Sequence, residues 1–202
     1  MVKIRINRVT KVKYPLDIVW DNAQDYVHFV HTHPKQIRAM QVIFDNSNIQ
    51  IFLYKSLVLP YLPFSRTFLA IRVLDRENFL YKQIYMDTDS GRKIYYHLSL
   101  EQDGDFVLTH NKYIIEVPKL VSYFPSLFAK FVNFRFSSMW QEDLEIQKTR
   151  NLVGGFDNDT CAPEIHTLYD EALEEYEDVW SGKKGPVTKI YEFEETFLEN
   201  KD

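Results

Sequence analysis

The chain has 202 residues, with 15 Phe and 13 Tyr among them, a single cysteine and a net charge of −5. That length carries one domain with a substantial core and leaves little for a second. Cys161 alone excludes an internal disulfide and a cysteine-rich zinc or iron–sulfur centre, and points to a reducing, cytoplasmic home. No stretch approaches the roughly eighteen uninterrupted apolar residues of a membrane span, and the opening MVKIRINRVTKVKYP lacks the apolar centre of a secretion signal. Charge is unevenly spread: residues 164–202 hold twelve acidic and four basic side chains, −8, which leaves +3 for residues 1–163. No basic stripe interleaved with aromatics stands out, so nucleic acid is not an expected partner.

In chain order, Lys3 to Val12 alternates like a half-buried strand, and Pro15 opens a segment whose apolar residues Leu16, Val19, Ala23, Val27 and Val30 recur at helical spacing. After Pro34 come six strand-like runs, Ile37–Phe44, Ile49–Leu59, Phe68–Leu74, Phe79–Met86, Ile94–Leu100 and Phe106–Val117. Turn chemistry such as DNSN, DTDSG and EQDGD separates most of them, which predicts an antiparallel meander. The proline- and aromatic-rich VLPYLPFS at 58–65 cannot continue a central strand; a surface loop or a lip over a cavity suits it. Pro125 then starts a helix expected to run from about Ser126 to Arg150, ending before Gly154-Gly155. GGFDNDTCAP at 154–163 reads as a linker, EIHTLYDEALEEYEDVW as an acidic amphipathic helix, and GKKGP as a second linker. The predicted organisation is one domain over 1–150, with a linker and acidic C-terminal tail over 151–202.

Strand, helix, six strands and a long helix is an order that resembles the helix-grip, START-like fold of the polyketide-cyclase (SRPBCC) superfamily. The resemblance implies an α+β fold in which a curved antiparallel sheet wraps the long C-terminal helix around an internal apolar cavity. That cavity would take a hydrophobic ligand.

Half of the chain's six histidines fall within DYVHFVHTHP. His28 lies three residues after Asp25 and so shares its helical face, whereas His33 would point about 140° away if the helix continued. Pro34 disfavours helical backbone at His33, so the helix is predicted to end near Val30 and let both imidazoles approach one point. A carboxylate is needed to complete a two-histidine facial triad on ferrous iron. Asp143 aligns with Val132, Phe136, Met139 and Ile146 on a largely apolar stripe, where an unpaired charge is costly. Glu142 neighbours Arg135, Ser138 and Glu145 instead, on a face where a charge costs little.

NAQDYVHFVHTH at 22–33 resembles the Asn-x2-Asp-x2-His-x4-His motif in the catalytic domain of Rieske non-haem iron oxygenases, and WQEDLEI at 140–146 resembles the segment bearing their third ligand. The resemblance implies His28, His33 and Asp143 as ligands of Fe(II), Asp25 as the residue conveying electrons to the metal, and Asn22 as its support. The cluster-bearing domain of that family has no counterpart here, so electrons would come from a separate ferredoxin or Rieske protein. His31 shares a helical face with His28 and is an alternative ligand to His33.

For any one of these histidines a solvated or hydrogen-bonded role is the simpler reading, and Cys161 has no base placed near it. Phe128, Phe131, Phe134, Phe136 and Trp140 are first of all core residues. His97 and His110 lie on strands whose parity is open, and the acidic tail is most simply a solvated appendage. The leading expectation is a mononuclear non-haem Fe(II) oxygenase-like enzyme for a hydrophobic, aromatic or isoprenoid-like small molecule. The alternative is a metal-free START-like lipid- or polyketide-binding protein, or cyclase, with Asp25, His28 and Asp143 as polar cavity groups. Oligomeric state is left open.

Overall fold

A computed structural model describes residues 2–26, 32–33, 35–46, 48–57, 64–153, 165–185, 187 and 189–197. The element order is β1 (Val2–Val12), α1 (Leu16–Gln24), β2 (Ile37–Asp45), β3 (Ile49–Leu57), β4 (Ser65–Asp75), β5 (Leu80–Asp87), β6 (Lys93–Asp103) and β7 (Phe106–Val117). A 3-10 turn (Val121–Tyr123), α2 (Pro125–Val153), α3 (Ile165–Trp180) and β8 (Lys189–Phe197) follow. The eight strands form one curved sheet in the order β2-β3-β4-β5-β6-β7-β1-β8. Antiparallel pairing runs from β2 through β7 to β1, as the meander predicts, and β8 then joins β1 in parallel, from Ile4 opposite Lys189 to Val12 opposite Phe197.

Alternation along the strands sets up two faces. On the concave side Ile4, Ile6, Tyr81, Tyr96, Leu98, Tyr113 and Ile115 form the main core together with α1 and with Ala129 and Val132 of α2. Cross-strand and sheet-to-helix ring contacts run through it: Tyr81 meets Tyr96 edge-on at 5.4 Å, Tyr96 stacks on Tyr113 at 4.4 Å, and Tyr113 stacks on Phe136 of α2 at 4.3 Å. On the convex side Ile84, Tyr95 and Ile114 are covered by Tyr176 and Val179 of α3. The ion pairs Lys82–Glu177 and Lys93–Glu175 flank that contact, and the Arg5 guanidinium lies 4.9 Å over the Trp180 ring.

Two expectations are corrected here. α1 ends at Gln24, well before Val30, with Asp25 already extended at φ −75°, ψ 107°. Tertiary contacts draw the chain off the helix: Tyr26 stacks on Phe52 at 5.8 Å and donates its hydroxyl to Asp45 at 2.7 Å, while Arg72 Nη1 donates to the carbonyls of Ala23 and Gln24 and so closes the helix end. The acidic tail is not a solvated appendage either. Its helix covers the convex face, and its last segment, Tyr191-Glu-Phe-Glu-Glu, alternates half-buried and exposed positions as a strand of the sheet. The segments 58–63 and 154–163, with Cys161, lie outside the described residues.

Among the described residues no helix is long and apolar enough to cross a membrane.

Candidate ligand-binding cavity

The space between α2 and strands β3 to β7 holds a cavity of about 280 Å³. Phe128, Phe131, Val132, Phe136 and Met139 of α2 form its roof, at the helical spacing that also explains why these rings share one face. Phe52, Leu57, Phe68, Ile94 and Ile115 of the sheet supply the apolar floor, and Tyr54, Tyr85 and Tyr113 face it as well. Burial pushes all three phenols above the ordinary tyrosine range, so they remain protonated donors at neutral pH.

Two guanidiniums complete the wall. Arg66 pairs with Asp87, and Arg135 reaches in from α2, where its Nε donates to Gln36 Oε1 at 3.3 Å and its Nη2 to Ser56 Oγ at 3.2 Å. Burial lowers the Arg135 pKa from its usual value, and the neighbouring Tyr54 opposes that shift. Gln36, with its backbone carbonyl bound by Ser56 and its amide bound to the Arg135 carbonyl, ties β2 and β3 to the helix at this end. Among the described lining residues there is no carboxylate and no imidazole. The cavity can therefore bind and orient a ring system and donate hydrogen bonds to its oxygens, and none of its described lining residues is of ordinary general-base type.

The described members of the expected site, Asn22, Asp25, His33 and Asp143, stand elsewhere. His33 and Asp143 do come together: His33 Nε2 lies 3.1 Å from Asp143 Oδ1, and its Nδ1 lies 2.8 Å from Glu142 Oε2. His33 is fully buried, while the two carboxylates are 14% and 20% exposed. Burial opposes charge on the ring, but the Asp143 and Glu142 carboxylates together outweigh it and raise its pKa. The ring is thus held from both sides by carboxylates, joining the segment before β2 to α2.

A ferrous ion would need a lone pair on one of those ring nitrogens. At 3.1 Å, His33 Nε2 and Asp143 Oδ1 are close enough to approach one ion together, whereas Nδ1 is turned to Glu142. His28 and His31 lie outside the described residues. Asn22 is buried on α1, and its Oδ1 has no hydrogen-bond partner among the described residues. Asp25 is half-buried just past the helix end. Neither residue lines the cavity, and neither do His33, Glu142 or Asp143. His97 and His110 both face the convex side, His97 bonded to the Tyr176 hydroxyl at 2.9 Å and His110 lying 3.5 Å from Glu101.

Sequence reasoning missed Arg135, Gln36 and Ser56. A signal for Arg135 was present: it stands three residues after Val132 and four before Met139, on the very stripe that carries the cavity roof.

No family model and no curated protein matches the chain. Solved structures do. The Zhui aromatase/cyclase from Streptomyces sp. R1128 superposes with a TM-score of 0.61 at 11% identity, covering 76% of this chain and 99% of that one. Ara h 8.0201 gives 0.55 at 9%, covering 73% and 99%, and norcoclaurine synthase from Thalictrum flavum gives 0.51 at 15%, covering 72% and 87%. None of these three lends support to the Rieske-oxygenase resemblance of residues 22–33 and 140–146. At such low identities the likeness speaks to architecture alone, and the architecture is that of the helix-grip fold.

Proposed function

We propose that this chain is a metal-independent helix-grip protein that binds a hydrophobic, oxygenated aromatic molecule of polyketide-like kind in the cavity under α2, and that any turnover there is a cyclisation governed by confinement. The carrying observation is the wall itself: aromatic rings for stacking, protonated Tyr54 and Tyr85, and a guanidinium at Arg135 to meet carbonyl or phenol oxygens. A volume of about 280 Å³ lies just below the ~300 Å³ at which small-molecule sites begin, so the ligand is compact. Holding a flexible chain folded against such a wall would favour ring closure through proximity, with the phenols and Arg135 stabilising negative charge that develops on oxygen. Fold likeness to an aromatase/cyclase supports this reading by analogy.

Titration of the purified protein with a naphthol and a hydroxyanthraquinone, followed by ligand fluorescence, tests it. Saturable one-to-one binding that weakens in Arg135→Met and Tyr54→Phe is expected. Absence of binding by both probes, with the protein folded, would overturn it.

The iron reading requires His28, His33 and Asp143 to share one ion. Anaerobic reconstitution with Fe(II) distinguishes the two: about one retained iron per chain, lost in Asp143→Ala, would restore the oxygenase reading and its need for a donor protein.

A further inference from the structure

The outer face of α2 and the turn leading into it expose an unusual amount of apolar surface. Leu120, Tyr123 and Phe124 are 72%, 65% and 64% exposed, and they are followed by Leu127 at 69% and Phe134 at 64%. Leu127 and Phe134 are seven residues apart on one helix and so share a face, with Lys130 between them; Lys119 precedes the turn. The adjoining face of the same helix is the cavity roof. Single exposed hydrophobics are ordinary, but five large ones within fifteen consecutive residues mark an interaction surface.

Charge identifies what that ridge meets. From Val117 through Gln141 the chain contains no Asp or Glu, and it contains Lys119, Lys130 and Arg135, in a protein whose net charge is −5. The exposed Lys119 and Lys130 flank the apolar ridge, and neither forms an ion pair with another described residue. A symmetric pairing with a second copy would set this patch against itself and oppose like charges. An anionic lipid surface does the reverse: it accepts Leu and Phe below the headgroups, seats Tyr123 at headgroup level, and attracts Lys119 and Lys130.

We infer that the ridge formed by residues 119–134 is a peripheral docking surface for anionic lipid bilayers, laying the outer face of the cavity roof against the membrane. This inference stands independently of what the cavity binds.

Co-sedimentation with vesicles of phosphatidylcholine, with and without phosphatidylserine, tests it on the full chain. Binding should require phosphatidylserine and weaken as salt rises. Phe124→Glu and Leu127→Glu, both at exposed positions, should each lower the partition coefficient ~10-fold or more while leaving the melting temperature near that of the parent. Lys119→Ala and Lys130→Ala should each lower it ~5-fold. Failure of the parent protein to bind phosphatidylserine vesicles overturns the inference and leaves the ridge to an acidic protein partner. Unaltered vesicle binding by Leu127→Glu overturns it too. So does a concentration-dependent dimer, seen by sedimentation velocity, that Leu127→Glu abolishes, since the ridge would then belong to a second copy.

Discussion

Val132 points from α2 into the cavity and is 9% exposed, which makes it the place to alter the volume without touching a polar group. At ~24 cal/mol per Å³, a dry cavity of about 280 Å³ would forgo about 7 kcal/mol of packing, an upper bound for a space that opens to water. Val132→Phe adds about four carbons in that space and could recover at most ~3 kcal/mol of burial. Crowding against Phe128 and Phe136 takes back ~1–2 kcal/mol. The expected balance is a gain of about 1 kcal/mol in unfolding free energy, paired with a loss of naphthol affinity of ~10-fold or more. Val132→Ala should do the opposite, losing about 1 kcal/mol while binding is retained. Urea denaturation followed by tryptophan fluorescence gives the first quantity and ligand titration the second. If Val132→Phe is destabilised as much as Val132→Ala and still binds like the parent, the space beneath α2 is not where ligand sits, and the proposed function falls with it.

Asp143→Asn and Glu142→Gln each weaken the grip on buried His33, so each should cost about 1–3 kcal/mol in chemical denaturation, and a chelator should not shift the melting temperature of the parent. His97 is pushed down to about 4, first by burial under α3 and then by Lys112 and Lys82. Its folded value lies below the unfolded 6.5, so the stability tied to its neutral form is present above 6.5 and drains away as pH falls toward 4; an NMR titration with a midpoint near 6.5 would contradict the packing of α3. Tyr176→Ala removes from the convex cluster a ring that α3 contributes and should cost about 3 kcal/mol, whereas a neutral effect would mean α3 is not docked there. Arg72, fully buried against Phe52 and Tyr81 and bonded to Gln50, Gln83 and the end of α1, should be among the costliest positions: about 3–5 kcal/mol for Arg72→Met, read by urea denaturation.

The sequence carried the fold clearly where side-chain period and turn chemistry agreed. Strands β2 to β7 begin and end within a few residues of the runs read from alternation, because most of them are bounded by Asp, Asn or Gly turns that leave little latitude. β8 escaped notice since its alternation, Tyr191 and Phe193 against Glu192 and Glu194, is spelled in acidic residues that also fit a solvated tail; a parallel partner nearly two hundred residues away leaves no local trace. The meeting of His33 with Asp143 was legible from the apolar stripe around Asp143, but the second carboxylate was not, because Glu142 sits among polar neighbours along the helix. Arg135 was assigned to that polar face, although its spacing from Val132 and Met139 already placed it beside the cavity roof, where Gln36 and Ser56 hold it.

The parallel junction of β1 with β8 bears on how the protein is made. Arg8, held by Glu195 across 187 positions of sequence, and the strand around it emerge from the ribosome long before the strand that will cover them. Until then β1 offers a free row of backbone donors and acceptors to any other extended chain nearby. Closing so distant a contact is slow relative to the hairpins of β2 to β7. A nascent or truncated form halted after α2 would therefore hold most of its sheet yet carry an adhesive margin, and would be the species most prone to aggregate or to recruit chaperones.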